Sequence, residues 1–501
     1  MANAAGLKPL HAVRGKKAAI RDSRGRQVIL RGMNVTALQD NFQANPDLPG
    51  SAPLTDTDLA QMRDMGVNVI RLAISWSALE PRRGSLNPSY VARIKDIVAR
   101  ASRYGIYTIV DMHNDGWSRY LATPWHERCP NGRFRSLGWD GAPKWATFTS
   151  GRTTCISQDG SKRSPAVLWS WINFWHNRDG IRHALVKAWG MLAGRLARLR
   201  AIAGYDILNA PDPAGLKPDR QIPIMDKFDA ATISAIRRAE KRRHGIRHTV
   251  FFEPNITWRQ VPPSQGSPRP HFTKDHNIVF APHLYGGLNH AGRNLPPDRT
   301  QAKLKRDAAK IAHRAARYRT TAWVGEWKVG NGAGAIRQLR IQQWLLDRHH
   351  WGNAYWQWEI SCGNPHQFTG PFDRTPAPLT GTLNPVHCPD GTPMPPPTAL
   401  RQGLAWPAPR AAPGMLRAQT TNANGALTLT GSQPRCGKNR SRSHHRHHRR
   451  KLSGTACELL VWSPTEPHPR GRHVSGVSSW RASGGWLIRA HVHGGYWFSS
   501  Q

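Results

Sequence analysis

Short apolar segments alternate with amphipathic stretches from about residue 28 to about residue 360. Helical stretches such as Thr55–Gly66, Pro88–Tyr104 and Gly180–Ile202 separate the apolar segments. This alternation is typical of a parallel α/β fold, and eight strands favour a closed (β/α)8 TIM barrel over an open sheet. We therefore predict a barrel in residues 15–400. Its eight strands are predicted at Val28–Val35, Val67–Ile74, Ile106–His113, Tyr205–Asn209, His248–Glu253, Asn277–Tyr285, Thr321–Glu326 and Asn353–Ile360.

The amino-acid composition of the chain changes after Cys362. Residues 363–413 are rich in Pro, Gly and Thr, which predicts loop and linker. Four short strand-like runs follow, so we predict a small C-terminal β-sandwich in residues 401–501. A basic, His/Arg-rich loop at 437–456 interrupts it, and its tract Ser441–Lys451 contains no apolar residue. We expect this loop to be disordered; metal binding by its histidines and attraction to anionic lipid are alternative roles.

The six cysteines contain no CxxC pair, which argues against a zinc or redox motif. Pairing in chain order would close three local loops, Cys129–Cys155, Cys362–Cys388 and Cys436–Cys457. Such disulfides imply an oxidising compartment, so we expect a secreted or cell-surface protein. Residues 1–15 nevertheless lack the apolar core of a signal peptide. A misplaced start, another export route or reduced cysteines would each resolve the conflict.

The formal net charge is +40, from 71 Lys and Arg against 31 Asp and Glu. This charge could draw the protein to an anionic membrane surface, although basic residues spread along a chain usually mark solvated helix faces. The sequence has no recognisable nucleic-acid-binding module, so we expect no specific nucleic acid partner. It has no apolar run of membrane-spanning length.

The 21 Trp residues hint at a carbohydrate ligand, because flat apolar rings stack on sugars. We expect a monomer.

Polar and aromatic residues stand at the predicted ends of most strands. Catalytic groups of a TIM barrel lie at the C-terminal ends of its strands, so these residues should converge on one mouth. A single such residue would be a weak signal, but the shared register indicates a site. The candidates are Arg71, Asp111, His113, Asn209, Ala210, His283, Tyr285, Glu326 and Trp356.

The motifs RGMNV, GVNVIRL, DMHND, GYDILN, HLY and VGEW together resemble family 5 glycoside hydrolases. GAPKWAT, NFW at Asn173–Trp175 and FFEPN are similar to the endoglycoceramidase branch of that family. The C-terminal PRAAPG and SGVSSW resemble, more weakly, the β-sandwich that follows the barrel there. The resemblance covers about residue 15 to 501. It implies hydrolysis of β-glycosidic bonds, with the oligosaccharide–ceramide bond of glycosphingolipids as the expected substrate.

The resemblance also implies roles for the candidate residues. Glu326 would be the nucleophile of a retaining mechanism, in which a second carboxyl group is the acid/base. Arg71 and Tyr285 would bind the Glu326 carboxylate. Asn209 would contact the substrate 2-hydroxyl, His113 and His283 would line the sugar subsite, Trp356 would stack on a sugar, and Asp111 would bind hydroxyls or hold His113. This chemistry needs neither a metal nor an organic cofactor.

The family's acid/base is the Glu of an Asn-Glu-Pro motif, which reads Asn209-Ala210-Pro211 here. Alanine cannot transfer a proton, so hydrolysis of poor leaving groups should be impaired. Asp212 could substitute by loop movement, whereas Glu253 is expected to be structural. Ala210 could reflect deliberate inactivation, natural decay to a glycan-binding pseudoenzyme, or a rescued mechanism. The competing hypotheses are therefore a glycosidase, a non-catalytic carbohydrate- or glycolipid-binding protein, and a protein that binds surfaces through its charge.

Overall fold

The fold is seen in a computed structural model of the chain. The structure describes residues 6–157, 163–262, 264–286, 296–330, 334–367, 381–422, 424–432 and 457–501. The whole of the predicted loop at 437–456 lies outside these ranges, and the described residues resume at Cys457. Cys436 lies outside them as well.

An antiparallel hairpin of β1 (Leu10–Val13) and β2 (Ala19–Asp22) precedes the barrel. It closes the end of the barrel at which the parallel strands begin. Leu10, Ala12 and Ile20 pack there against Trp323 and other apolar residues that point into the barrel. The Ala12 amide also donates to Asn277 Oδ1 at 2.6 Å. The barrel interior is therefore filled at this end, which leaves the opposite end for polar groups.

Eight parallel strands form the barrel, and the prediction of a (β/α)8 TIM barrel is confirmed. Neighbouring strands pair in the order β8-β7-β6-β5-β4-β3-β10-β9. The ring closes between β8 and β9, where the Phe280 amide donates to the Thr321 carbonyl at 3.2 Å. The strands are β3 (Arg31–Leu38), β4 (Val69–Ser75), β5 (Tyr107–His113), β6 (Ile202–Asp206), β7 (Thr249–Phe252), β8 (Ile278–Phe280), β9 (Trp323–Trp327) and β10 (Gly352–Tyr355).

Helices surround the barrel and begin at recognisable capping residues. Thr55 and Asp58 form a reciprocal capping box at the first helix, and Asn87 caps the third, which begins with Pro88. The helices are α1 (Asp56–Asp64), α2 (Trp76–Leu79), α3 (Pro88–Arg103), α4 (Pro165–Trp175), α5 (Ile181–Leu196), α6 (Pro218–Arg242), α7 (Pro297–Tyr318), α8 (Ala335–Arg348) and α9 (Thr398–Leu404).

The C-terminal strands form an antiparallel β-sandwich, as predicted. Its longest strand, β16, pairs with β14 through its first half, with β13 through its last residues, and with β15 along its length. A separate apolar core fills this unit, with Leu427, Leu459 and Phe498 at its centre. The strands are β11 (Ala408–Ala411), β12 (Met415–Thr421), β13 (Leu427–Ser432), β14 (Glu458–Ser463), β15 (Arg470–Ala482) and β16 (Gly485–Ser499).

Several predicted element boundaries were wrong. The helix predicted at Gly180–Ile202 ends at Leu196, and the strand predicted at Tyr205–Asn209 is Ile202–Asp206. The strand predicted at Asn277–Tyr285 covers only Ile278–Phe280. Beyond β6 and β8 apolar residues such as Leu208 and Leu284 continue past the hydrogen-bonded strand, because loops at the barrel mouth are also buried. After α5, buried Ala197 and Ala201 continue the apolar pattern beyond the end of the helix. The segment 363–413, predicted as linker, includes α9 and β11.

Two predicted disulfides, Cys129–Cys155 and Cys362–Cys388, are present. Cys457 is also disulfide-bonded, although its predicted partner Cys436 lies outside the described residues. Disulfides of this kind are typical of secreted or extracellular proteins. Among the described helices, none combines the length and apolar character that a membrane crossing requires.

The turn after α1 contacts the sandwich closely. Gly66 has φ of +79°, and a Cβ there would lie 2.6 Å from the ring of Trp462, which is buried. Gly105, in the equivalent turn after α3, has φ of +74° and nothing within 4 Å of a Cβ. The two glycines therefore share the same backbone requirement but differ in contact with the sandwich.

We predict that Gly66→Ala destabilises the protein more than Gly105→Ala. Both changes place a side chain in a left-handed conformation, at a cost of about 1–2 kcal/mol. Only Gly66→Ala adds overpacking against Trp462, with a further cost of about 1–3 kcal/mol. Urea unfolding of the two variants measures the difference, and equal losses would show that the barrel and sandwich are not held together at this contact.

Candidate active site

The barrel strands bring the predicted residues together at one end. Arg71 lies on β4, Asp111 and His113 lie at the end of β5, and Glu326 lies on β9. The remaining candidates follow directly after strand ends, where the chain turns outwards over the mouth. They are Asn209 and Ala210 after β6, His283 and Tyr285 after β8, and Trp356 after β10.

Arg71 is the centre of this cluster and is fully buried. Its Nη1 lies 2.9 Å from Glu326 Oε1, and its Nε lies 3.0 Å from Asp206 Oδ2. Its Nη2 lies 2.8 Å from Glu253 Oε1 and 3.0 Å from Asp111 Oδ1. One guanidinium thus contacts four carboxyl groups. Because a buried charge is tolerated only when it is paired, these contacts fix the position of each carboxyl group.

Glu326 is held in its ionised form. Its Oε2 accepts a hydrogen bond from the Tyr285 hydroxyl at 2.8 Å and lies 3.3 Å from His283 Nδ1. Burial alone would raise the pKa of Glu326, but the charges of His283, Arg71 and His113 and the Tyr285 hydrogen bond outweigh it and lower the pKa. A carboxylate held in this way is available as a nucleophile at neutral pH.

Each of two histidines is paired with a carboxylate. His113 Nδ1 lies 2.8 Å from Asp111 Oδ2, and His283 Nε2 lies 3.1 Å from Glu253 Oε1. Burial alone would lower the pKa of His113, but the Asp111 carboxylate outweighs it and raises the pKa to about 9. Burial opposes protonation of His283 too, yet Glu253 and Glu326 raise its pKa. His113 is therefore protonated at neutral pH, and the carboxylates beside His283 shift that imidazole in the same direction.

The protonation of Asp206 affects the total charge of the cluster around Arg71. Burial, followed by the charge of Glu253, raises the pKa of Asp206 well above its usual range despite the opposing effect of Arg71. This favours a neutral Asp206. Arg71, His113 and His283 then stand against three remaining carboxylates. The basic groups of the candidate site are thus each paired with carboxyl groups, which suits an uncharged sugar.

The Asn209 amide has a defined orientation. Arg71 Nη2 can only donate, so the atom 2.9 Å from it is Asn209 Oδ1. The amide nitrogen donates to the Asn114 carbonyl at 3.0 Å. The Asn209 side chain is thereby fixed at the mouth beside His113.

Ala210 follows in a left-handed conformation, with φ of +42°. Its amide donates to Glu253 Oε2 at 2.8 Å. Glu253 therefore joins Arg71, His283 and the Ala210 backbone, which agrees with its expected structural role. A cavity of about 160 Å³ opens beside Ala210 and is also lined by Glu253, His283 and Tyr285. This volume exceeds the space of a carboxyl group or a few water molecules.

Asp212 does not point freely into the mouth. Its carboxylate forms two hydrogen bonds with Arg163, at 2.9 and 3.0 Å, and accepts a third from the Ala214 amide at 2.7 Å. Proton transfer by Asp212 would require these contacts to break.

Trp356 stacks on His113, with ring centroids 5.3 Å apart and planes 13° from parallel. A sugar could therefore use only the opposite face of the indole. Further out, His366 Nε2 lies 2.9 Å from Asp115 Oδ2, and the His366 ring contacts those of Trp139 and Trp356. These neighbours extend the aromatic wall of the mouth beyond the predicted residues.

Sequence reasoning assigned no role to Asn34 or Asp206. Asn34 accepts from Arg71 at 3.1 Å and donates to the Gly325 carbonyl at 3.1 Å, which ties β3 to the strand of Glu326. Both residues are fully buried. The available signal was a polar residue inside an otherwise apolar strand, which requires a polar partner.

Three acidic side chains, Asp111, Asp206 and Glu253, present oxygen atoms within 4.8 Å of one another. Such a group could hold a metal ion on spacing alone. Arg71 contacts all three. The guanidinium therefore provides the positive charge that these carboxyl groups share.

A family model described as cellulase (glycosyl hydrolase family 5) matches residues 22–361. The chain belongs to this family of glycoside hydrolases. The matched region contains every candidate residue of the mouth. Within family 5 the chain falls in the endoglycoceramidase-like branch, as the following relatives indicate.

The chain is 33% identical to the protein in a crystal structure of endogalactoceramidase, with a TM-score of 0.85 over 99% of this chain and 100% of that one. It is 27% identical to endoglycoceramidase I of Rhodococcus hoagii over 55% of this chain and 53% of the relative. It is 25% identical to an endoglycoceramidase of Cyanea nozakii over 47% of this chain and 49% of the relative. The chain thus spans about half the length of the curated relatives it matches.

The raised pKa of His113 predicts a pH-dependent contribution to stability. With a pKa of 6.5 when unfolded and about 9 when folded, protonated His113 stabilises the native state fully below pH 6.5. The contribution, up to about 3 kcal/mol, is lost as pH rises through 9. We expect the unfolding free energy of the wild type to exceed that of His113→Gln by more at pH 6 than at pH 9.5.

Urea denaturation at the two pH values tests this prediction. The exposed His126 provides a control, since His126→Gln should give the same difference at both pH values. A difference between wild type and His113→Gln that does not change with pH would contradict the proposed Asp111–His113 ion pair.

Proposed function

We propose that this protein acts on the oligosaccharide–ceramide bond of glycosphingolipids through a retaining mechanism. The observation that carries the proposal is the likeness over nearly the whole chain to a solved endogalactoceramidase at 33% identity. The fixed cluster of paired charges around Glu326 supports it, because the substrate's reacting sugar is uncharged.

Glu326 is the proposed nucleophile. A retaining glycosidase needs an ionised carboxylate to attack the anomeric carbon and form a glycosyl-enzyme. Arg71, His283 and Tyr285 keep Glu326 ionised and leave it no freedom to rotate. We assign binding of the substrate 2-hydroxyl to Asn209, the sugar subsite to His113 and His283, sugar stacking to Trp356, and the positioning of His113 to Asp111.

Ala210 occupies the proposed position of the acid/base. Without a carboxyl group there, a poor leaving group such as the ceramide alkoxide departs unprotonated, and water attacks the glycosyl-enzyme without a base. The loss of such a group typically costs about 100- to 10,000-fold in rate. Asp212 and Glu253 are both engaged in other contacts, so neither replaces it without rearrangement.

The alternative is a glycolipid-binding protein that no longer turns over its ligand. The same engagement of Asp212 and Glu253 favours this alternative, because it leaves no carboxyl group free beside Ala210 among the described residues. The intact set of partners around Glu326 favours a residual glycosidase instead. The two functions differ in whether Glu326 can be glycosylated.

We also infer that the protein is secreted or attached to the cell surface and acts as a monomer of two domains, residues 15–400 and 401–501. The disulfides support the location. The net charge of +40 would favour association with anionic membranes, where glycolipid substrates reside.

We predict that Glu326 forms a covalent adduct with an activated substrate. A dinitrophenolate leaves without protonation, so Ala210 should not prevent the first step with dinitrophenyl β-glucoside or β-galactoside. The adduct should accumulate, because its hydrolysis lacks a base. Mass spectrometry of the intact protein and of the peptide containing Glu326 detects it.

Azide and Glu326→Gln complete this experiment. Azide needs no base and fits the cavity beside Ala210, so it should attack the anomeric carbon, release Glu326 as carboxylate and yield the β-glycosyl azide. Glu326→Gln should form no adduct. If the wild type binds its ligand but forms no adduct, the protein is a glycolipid-binding protein and the glycosidase hypothesis is wrong.

We predict that Ala210→Glu increases glycosphingolipid hydrolysis by about 100-fold or more. The cavity beside Ala210 has room for the added carboxyl group. Product release is measured with glycosphingolipid and with β-glucan, because hydrolysis of β-glucan alone would overturn the assigned substrate.

Two further variants serve as controls. Ala210→Glu combined with Glu326→Gln should be inactive, since the nucleophile is lost. Asp212→Asn should leave the residual activity of the wild type unchanged if Asp212 transfers no proton. A marked fall in this variant would instead identify Asp212 as the substitute acid/base.

A further inference from the structure

A second cavity, of about 790 Å³, lies between the barrel and the sandwich. We call it the basic cleft. Its barrel side is formed where strands begin, with Val28, Val67 and Tyr107 in its wall. Its sandwich side includes Trp462 and Trp480. It therefore lies at the closed end of the barrel, opposite the mouth that contains Glu326, and has a size typical of small-molecule sites.

The charges that line the basic cleft are strongly unbalanced. The lining includes Lys8, Arg24, Arg26, Arg410 and Arg481, together with one arginine from each of α1 and α3, Arg63 and Arg103. Asp22 is the acidic residue of this lining. Seven cationic side chains thus face one carboxylate, for a difference of six charges.

Carboxylates neutralise only part of this charge. Arg26 pairs with Asp22 at 2.8 Å and with Glu458 at 3.2 Å, and Arg63 pairs with Asp64 at 2.9 Å. Longer ion pairs join Arg24 to Glu458 at 3.9 Å and Arg103 to Asp56 at 3.6 Å. Lys8, Arg410 and Arg481 have no carboxylate partner among the residues that the structure describes. Arg410 donates to the Gly66 carbonyl and lies over the Trp462 ring. Burial, with the charge of Arg31, lowers the pKa of Arg410 to about 9. An anion would relieve this unfavourable burial.

The remainder of the lining is apolar rather than suited to sugars. Leu7, Leu460 and Leu487 supply aliphatic surface, and Trp480 is 37% exposed at the rim. Sugar hydroxyls require neutral or acidic acceptors as well as donors. Three of the residues of that kind in the lining are already engaged: Asp22 binds Arg26, Asn68 binds the Arg31 amide and the Ile29 carbonyl, and the Tyr107 hydroxyl donates to the Lys8 carbonyl. Only the hydroxyls of Tyr104 and Ser483 add further neutral acceptors to this lining. A ligand that has an apolar part and an anionic group matches this lining better than a glycan does.

We propose that the basic cleft binds one anionic amphiphile, a single aliphatic chain with a phosphate or carboxylate headgroup. The headgroup contacts Lys8, Arg410 and Arg481, and the chain lies against the leucines and Trp480. This site is independent of the proposed glycosidase function, because it lies at the other end of the barrel and shares no residue with the mouth.

The probe is monomeric dodecyl phosphate, and its binding to the full-length protein is measured by titration calorimetry. Inorganic phosphate supplies the headgroup charge alone, and octaethylene glycol monododecyl ether, which contains no sugar, supplies the aliphatic chain alone. Laurate, which has a carboxylate headgroup, distinguishes the two anionic classes. We expect dodecyl phosphate or laurate to bind with 1:1 stoichiometry, and each separate component to bind at least about tenfold more weakly.

Arg481→Gln and Arg472→Gln form a matched pair. Both residues are exposed on β15, and both changes remove one positive charge, but only Arg481 lines the basic cleft. Arg481→Gln should weaken binding about tenfold, as expected for one charge-assisted contact. Arg472→Gln should weaken it less than twofold. Lys8→Gln provides a second, independent change in the cleft and should also weaken binding.

Three outcomes would overturn the proposal. Equal losses from Arg481→Gln and Arg472→Gln would mean general attraction to a basic surface. Octaethylene glycol monododecyl ether that binds as tightly as dodecyl phosphate would mean that the charges take no part. Inorganic phosphate that binds as tightly as dodecyl phosphate would mean an anion site without a place for the chain.

Discussion

The mouth of the barrel depends on the burial of one guanidinium. Arg71 contacts carboxyl groups on β5, β6 and β9 and one that follows β7. These contacts form only when the strands hold their register, because Arg71 and its partners come from distant parts of the chain. Loss of a single partner would leave charge buried without compensation, which typically costs several kcal/mol. The same interaction therefore specifies both the arrangement of the strands and the position of Glu326.

This dependence on Arg71 explains how the cluster of contacts around Glu326 can form although residue 210 has no functional side chain. The turn at Ala210 is held by its backbone amide, which donates to Glu253, and Glu253 is held by Arg71 and His283. None of these contacts uses the side chain of residue 210. If position 210 is that of the acid/base, as proposed, a change from Glu to Ala would remove proton transfer and leave a cavity, while the turn and Glu326 keep their positions. Catalytic loss and structural integrity are thus separable at this position.

The sequence predicted the barrel because its apolar segments repeat with the spacing of strands and helices, and because polar residues end those segments. It could not predict where hydrogen bonding stops, since buried loop residues such as Leu284 are as apolar as strand residues. It also assigned no role to Asn34 or Asp206, because their functions arise from contact with Arg71, 37 and 135 residues away. Motif resemblance pointed to Arg71, Glu326 and the other candidates, whereas the contacts that Asn34 and Asp206 make with Arg71 required the three-dimensional arrangement.

The large positive charge of the chain is not distributed evenly between the two ends of the barrel. At the mouth, Arg71, His113 and His283 are each paired with carboxyl groups. At the closed end, the basic cleft keeps Lys8, Arg410 and Arg481 without carboxylate partners among the described residues. The proposed sugar substrate would therefore meet paired charges, and the proposed anionic amphiphile would meet unpaired cations at the opposite end. Because the field at short range is set by local pairing rather than by total charge, one basic protein can separate these two kinds of recognition.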